Sequence, residues 1–440
     1  MKERIVELAQ RMQRELVAFR RDLHRHPEVG WTEFRTASMV AKHLDDLGYE
    51  VFAGEEVIEK SAMMGVPSEE VLLKHMERAR QQGAPAKYLG KMNGGKTGVM
   101  GKLETGRPGP VIALRFEMDA NDLNESKEEG HRPFREGFSS VNELAMHACG
   151  HDGHVAMGVG IAELLIQCRD QLGGTVKLIF QPAEEGARGA SSMVAKGIVD
   201  DVDYMLGLHL GFSLNKSGQL LCGSSGLLAT SKFDAMFKGI PAHAGARPED
   251  GKSALLAAAS AAMSLQGINR HSQGASRINI GVLKAGTGRN VVPDCAVMQI
   301  ETRGATSEID GFVKNEAVRM INANAAIYDV QVSIKEMGGA ASAESDPEMI
   351  ALVEEIGRNS GMFDDIRDTE HLGFSEDYSC FMNSVKKNGG KANYFMVGTT
   401  LAAGHHDSRF DFDEDVLADG VALLGLIVHR LADSFGRAAP

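Results

Sequence analysis

KFDAMF (232–237), SALLAAASAAMSLQGI (253–268), RINIGV (277–282), DCAVMQIETR (294–303), IDGFVKNEAVRMINANAA (309–326) and VQVSIK (330–335) follow one another with two textures. The four short segments read as β-strands. The two long ones read as helices, one Ala-rich and one with apolar residues at helical spacing. The resulting βαββαβ order is that of a ferredoxin-like unit, compact enough to stand alone. GGAASAESDP (338–347) reads as a linker leading out of it.

On both sides of this unit the chain has a different texture. Glu3–His24 is helical by pattern, with Ile5, Leu8, Met12, Leu16 and Leu23 near a 3.6-residue period, and Pro27 and Gly30 end it. A second helix carries Val40, Leu44 and Leu47 and stops at Gly48. Strands are expected at Thr97–Leu103, Pro110–Phe116, Thr175–Phe180 and Val202–His209, with a helix over Gly153–Leu172. The last 90 residues are again α/β and close with a helix over Asp415–Leu431. Strands alternating with helices predict a sheet covered on both faces. The expected fold is therefore α/β: a discontinuous catalytic domain (1–228 and 341–440) interrupted by an α+β domain (229–340).

Composition narrows the function. With 47 basic and 60 acidic side chains the net charge is −13, which argues against a nucleic-acid binder. No apolar run approaches the ~20 residues of a membrane helix. The N-terminus MKERIVELAQ is charged and helical rather than a leader. The five cysteines (149, 168, 222, 295, 380) are scattered and odd in number, which points to a reducing cytoplasm.

The histidines cluster, and four stretches carry chemistry. MHACGHDGH (146–154) sets a Cys and a His two apart where a loop enters a helix; both residue types bind metals once deprotonated. A zinc knuckle and a chance His-rich loop are the plainer readings, but no second pair completes a knuckle. FQPAEEG (180–186) places two carboxylates at the C-terminal end of a strand, where α/β sites lie. Metal-assisted hydrolysis needs two such groups, one to fix the ion and one to move protons. GLHLG (207–211) ends an apolar strand with a His, and AGHHDSRF (403–410) holds a His pair before the last helix. A satisfied core histidine is the commoner meaning of the former.

RRDLHRHPEVGWTE, RFEMDA, MHACGHDGH, FQPAEEG, GLHLG, GIPAHAGARPEDG, GTGRNVVP, ETRG, FSEDY and FDFDEDVL occur in this order along nearly the whole chain. Together they resemble the di-metal peptidase and amidohydrolase family that includes aminoacylases, glutamate-releasing carboxypeptidases and auxin-conjugate hydrolases. The chain is most similar to the family's bacterial Cys-Gly-His branch, and within it MGVPSEE, ERARQQGA, FQPAEEGARGA and GTTLAAGHHDSRFDFDE resemble the members that act on p-aminobenzoyl-glutamate.

The resemblance implies a di-metal aminopeptidase-like catalytic domain with an inserted dimerisation domain. It implies Cys149, His151, Glu185, His209 and His406 as ligands of two divalent ions per protomer, with manganese favoured and zinc the alternative. His406 is preferred to His405 because the branch motif places Phe410 four residues on. Glu184 is implied as general acid/base, and Asp119 as the group that orients a ligand imidazole. His243 is implied to reach a metal site across a dimer interface. Asn290 would sit near the oxyanion, and Arg303 could hold a substrate carboxylate, an ordinary salt bridge being the other reading. Glu117 stands where the branch usually has Asp, and His147 and His154 are read as structural.

The expected activity is hydrolysis of an N-acyl or N-aroyl amino acid, p-aminobenzoyl-glutamate first. A general aminoacylase or dipeptidase shares the chemistry, and a non-catalytic partner chain of a heteromeric hydrolase is the reading from another class. The expected assembly is a homodimer, or a heteromer with a related B-type chain, with no nucleic acid or membrane partner. Residues 55–92 form a segment absent from shorter members of the branch. Ser68 is its expected helix N-cap, and a surface embellishment, a lid or an inter-protomer contact are its three readings.

Overall fold

The computed structural model describes residues 1–435. Its strands are β1 (Glu50–Ala53), β2 (Val99–Glu104), β3 (Val111–Glu117), β4 (Thr175–Gln181), β5 (Tyr204–Leu210), β6 (Gln219–Ser225), β7 (Ala229–Lys238), β8 (Ser276–Ala285), β9 (Cys295–Gly304), β10 (Gln331–Ala340), β11 (Asp365–His371) and β12 (Lys391–Val397). They form two sheets, one in each of two compact units. Among the described residues, the first unit comprises 1–225, 344–372 and 380–435; the second comprises 226–343 and 373–379.

The first unit holds an eight-stranded mixed sheet in the order β1-β2-β4-β3-β5-β12-β6-β11. At its centre β4, β3, β5 and β12 run parallel. Their sequences are nearly continuous apolar runs and their residues are almost all buried. That is the pattern of strands covered on both faces. Helix His151–Cys168 is apolar on all sides and almost wholly buried, so it lies inside the unit rather than on its surface. Helices Lys2–Arg25 and Val416–Phe435 pack against it. The polar β11, DIRDTEH, sits at the sheet edge, where charge discourages further pairing.

Residues 55–92 belong to this unit. Helix Glu69–Gln81 starts at Ser68, whose hydroxyl accepts the Val71 N–H, with Glu69 and Glu70 in the first turn. It buries Leu72, Met76 and Ala79 and packs on helix Phe34–Asp46.

The second unit is a four-stranded antiparallel sheet in the order β10-β7-β9-β8 with helices Ala254–Leu265 and Ser307–Ile327. Numbered within the unit, its strands run 4-1-3-2, the ferredoxin-like arrangement that the βαββαβ reading anticipates. Phe233, Phe237, Met298, Ile300, Val313 and Ile321 build its core. No helix among the described residues is long and apolar enough to cross a membrane.

Candidate metal centre

Because β3, β4, β5 and β12 are parallel, their C-terminal ends share one edge of the sheet, and the chemistry collects there. β3 runs on to Asp119 and β4 to Glu184 and Glu185. His209 is the penultimate residue of β5, and β12 leads to His405 and His406. Cys149 immediately precedes helix His151–Cys168. The turn between them is made by Gly150 at φ +87°, a conformation that side chains resist. Ala183, Ala187, Phe212 and His406 also have positive φ, four of the seven such non-glycine residues among the described residues. Strained backbone therefore concentrates on the loops of this edge, as it does at functional sites.

Ligand atoms of Cys149, His151 and Glu185 all lie within 4.8 Å of one another. His209 Nε2 is 3.5 Å from Cys149 Sγ, and His406 Nε2 is 3.2 Å from Glu185 Oε1. The five residues implied as ligands are thus brought together from four stretches of the sequence. Glu117, His151, His154 and His209 form a second such group.

Hydrogen bonding separates the histidines by tautomer. His151 Nδ1 is 2.8 Å from the Asp119 carbonyl oxygen, and His209 Nδ1 is 2.8 Å from that of Leu210. A carbonyl only accepts, so in each ring Nδ1 carries a proton and Nε2 is the nitrogen left to ligate, once any proton on it is displaced by a cation. The His151 Nε2 is buried and has no hydrogen-bond partner among the described residues. His154 is different: its Nε2 accepts the Leu210 N–H at 3.0 Å while Nδ1 donates to Glu117 at 2.9 Å. Both of its nitrogens are used, so His154 is a brace despite its place in the cluster. His405 stacks on Phe212 and donates Nε2–H to the Leu210 carbonyl, which leaves His406 as the member of the pair facing Glu185.

The charges around this cluster are unbalanced. Burial opposes a proton on His151, yet contact with Asp119 and the fields of Glu117 and Glu185 raise it to about 10. Burial also works against ionised Glu185, but His406, His151 and Asn121 hold it down at about 2. Burial pushes His209 well below its ordinary value. A pocket with a thiol, carboxylates and imidazole nitrogens, one of them without a hydrogen-bond partner among the described residues, fits divalent cations by its donor chemistry.

Asp119 is fully buried, and its carboxylate accepts the backbone N–H of Glu184 and of Glu185, each at 2.9 Å. It contacts His151 through its main-chain oxygen, while its carboxylate stays 3.7 Å from Nδ1. One residue therefore fixes both the imidazole and the acidic loop. Glu117 does not reach the cluster freely: Arg115 holds Oε2 at 2.7 Å and His154 holds Oε1.

Three positions lacked a role in the sequence reading. Asn121 donates to Glu185 Oε1 at 2.6 Å. Glu33 is fully buried, accepts the Ala183 N–H and the Thr97 hydroxyl, and is pushed up to about 8 by burial and by Asp119. Arg188 donates Nε–H to the Glu185 carbonyl at 2.9 Å. Glu33 falls inside the quoted HPEVGWTE stretch, the one signal that could have marked it.

In the second unit His243 is exposed, and its Nδ1 accepts the N–H of Gly245 and Ala246. Asn290 lies beside it through the Ala244 N–H to Asn290 carbonyl bond. Arg303 pairs with Glu301.

Residues 113–430 match the pattern of peptidase family M20/M25/M40. The chain belongs to this family. It is therefore a metallohydrolase of a family that acts on amide bonds. Among curated relatives it is 49% identical to the indole-3-acetyl-aspartic acid hydrolase of Enterobacter agglomerans, over 94% of each chain. It is also 49% identical to the A-type chain of the p-aminobenzoyl-glutamate hydrolase of Escherichia coli, over 92% of this chain and 93% of that one. Its fold is similar to the aminobenzoyl-glutamate utilization protein of Klebsiella pneumoniae, with TM-score 0.85, 41% identity and coverage of 96% and 97%. A dinuclear metal binding peptidase of the M20 family from Bacillus subtilis superposes with TM-score 0.67 at 25% identity, over 96% of this chain and 99% of that one. Dinuclear metal binding goes with the family.

Proposed function

We propose that this protein hydrolyses the amide bond of N-acyl or N-aroyl amino acids, with p-aminobenzoyl-glutamate as its leading substrate. The observation that carries the reading is the division of labour between two adjacent carboxylates. Glu185 is drawn into the donor cluster, while Glu184, its backbone N–H held by the same Asp119, is not part of that cluster and would carry the proton transfer. Cys149, His151, Glu185, His209 and His406 would hold two divalent ions, manganese by resemblance, with zinc suited to the same mixed donors. When bound, such ions supply Lewis acidity toward the scissile carbonyl and toward water. Glu184 takes a proton from the attacking water and delivers it to the leaving amine. Asp119 keeps the Glu184–Glu185 backbone in register throughout.

An indole-3-acetyl-aspartate substrate is the second reading, supported by the relative of that activity at equal identity. The relatives' names share an acyl or aroyl group on an acidic amino acid. The second unit, residues 229–340 by the sequence reading, would serve dimerisation, with His243 and Asn290 reaching a neighbouring chain's site and Arg303 holding a carboxylate. Supporting this, its Leu256 and Met263 are 50% and 77% exposed on one helix, and Leu283 is exposed on edge strand β8. The neighbour would be a second copy or a B-type chain, since the Escherichia coli relative is by name one component of a hydrolase.

Acyl-glutamate and acyl-aspartate conjugates, assayed with each metal, test the activity. Glu184→Gln should retain metal and lose about 10²–10⁴-fold in turnover. Mixed with inactive His243→Ala, it should recover up to about a quarter of wild-type activity, because half of randomly exchanged dimers then carry one intact site. Near-normal kcat in Glu184→Gln refutes the acid/base role. No recovery despite proven exchange, with the B-type chain present as well as absent, refutes the shared site.

A further inference from the structure

The segment 55–92 closes one side of a cavity of about 560 Å³ in the first unit. This volume is within the ~300–1,000 Å³ of small-molecule sites. Helix Glu69–Gln81 presents Lys74, His75 and Arg78 to it, and Val29, Asp122 and Arg188 lie on the remaining walls. The cavity borders the metal centre through Arg188, whose Nε–H bonds to the Glu185 carbonyl. Glycine at position 30 leaves room for the Arg188 side chain in this placement, since a Cβ there would fall 2.3 Å from its Nη2.

Arg78 is the unusual member. Its Nε and Nη2 are buried with no hydrogen-bond partner among the described residues, and His75 Nδ1 is in the same state. Buried guanidinium donors are rarely left so. The anion whose field reaches Arg78 is Glu28. Its two oxygens already accept the N–H groups of Arg35 and Thr36 at 3.0 and 2.9 Å. Nε and Nη2 form the side-on fork of the guanidinium, the pair that matches a carboxylate bidentately. Burial, with Arg78 and Lys74 beside it, pushes His75 down to about 4, so it is a neutral neighbour. Val29, Val71 and Leu144 give the cavity apolar surface suited to a methylene stem.

We propose that this cavity is a carboxylate subsite that receives the side-chain carboxylate of an acidic amino acid in the substrate, with Arg78 as its principal contact and Lys74 as a second cation. The inference rests on the proposed amide hydrolysis and deepens it: the segment 55–92 would make the enzyme selective for acyl-glutamate and acyl-aspartate over neutral conjugates.

The test compares kcat/KM for N-benzoyl-glutamate and N-benzoyl-glutamine with metal-loaded protein. The wild type should prefer the glutamate conjugate, and Arg78→Met should cut that preference about ten- to a hundred-fold, the worth of a charged hydrogen bond. Lys74→Met, on an exposed position, should cut it less. Arg80→Met, which removes a surface charge paired with Glu77, should leave it intact. Glutarate should compete with substrate, and calorimetry with and without metal should show its binding weakened in Arg78→Met, with folding checked by circular dichroism. A preference unmoved by Arg78→Met, or equal loss on both substrates, overturns the subsite. Non-competitive action of glutarate also overturns it, since the cavity would then hold a separate effector. If the wild type cleaves neither conjugate, the hydrolase reading fails, and glutarate binding through Arg78 alone decides the subsite.

Discussion

Replacing Asp119 with asparagine should damage stability and metal affinity together, although the side chain keeps its size. In the wild type the two carboxylate oxygens each accept one backbone N–H, from Glu184 and Glu185, at 2.9 Å, and the group is fully buried. Each charge-assisted bond of this kind contributes about 1.5–3 kcal/mol. Asparagine offers one oxygen, so one N–H keeps a neutral acceptor and the other faces an NH₂ group, donor against donor. Losing one bond and weakening the second costs about 2–4 kcal/mol. The same change frees the loop that carries Glu185, so metal should bind about 10–100-fold more weakly. Urea unfolding of metal-free protein, followed by circular dichroism, reads the first effect, and metal titration calorimetry reads the second. An unfolding midpoint and a metal affinity that both match wild type would refute the reasoning.

Cys149 should resist iodoacetamide in metal-loaded protein and label after chelation, because a bound thiolate is not available to an alkylating agent; equal labelling in both states, read by mass spectrometry, counts against its role. Buried His24 sits between Asp152 at 2.8 Å and Glu125 at 2.9 Å. Burial and Arg20 oppose its charge, but these carboxylates raise it from 6.5 to about 9. A raised histidine stabilises the fold fully below pH 6.5 and loses that contribution as pH climbs through 9, a change on the order of 3 kcal/mol. His24→Gln should flatten this part of the stability–pH curve. Glu125 behaves oppositely: burial opposes its ionisation, yet His131 and His24 depress it to about 2, so its contribution holds above pH 4.5 and fades toward 2. Thermal unfolding of metal-free protein across pH 2–10 checks both limbs.

The ferredoxin-like unit was legible because its strands and helices differ in local texture, and local texture is what periodicity records. The central strands β3, β4 and β5 were legible as apolar runs. β11 was not, since an edge strand such as DIRDTEH is selected to be polar and reads as loop. The motif clusters marked the site's edge of the sheet, but the division of duties among histidines was hidden. His151 and His154 lie one helical turn apart with similar surroundings in sequence. What distinguishes them is the Leu210 N–H, which reaches His154 from a strand more than fifty residues away. Asp119's hold on two backbone amides is likewise a property of folded geometry, with no local pattern to announce it.

The order in which the chain is made adds a constraint of its own. Arg20 is wholly enclosed between Asp152, Asp411 and Glu414, with the Phe412 ring 4.3 Å away. Two of its three counter-charges, Asp411 and Glu414, lie nearly 400 residues further along the chain and leave the ribosome long after it. The four-stranded sheet is complete once residue 340 has been added, so the interrupting unit can fold while the unit around it still waits. A chain stopped at residue 410 should therefore show a protease-resistant core from 226–343 inside an otherwise digestible remainder. Uniform resistance, or uniform digestion, would show that the two parts mature together. The unit that carries the metal-binding cluster is then the last to close, because Arg20 must wait for Asp411 and Glu414 before its charge is enclosed.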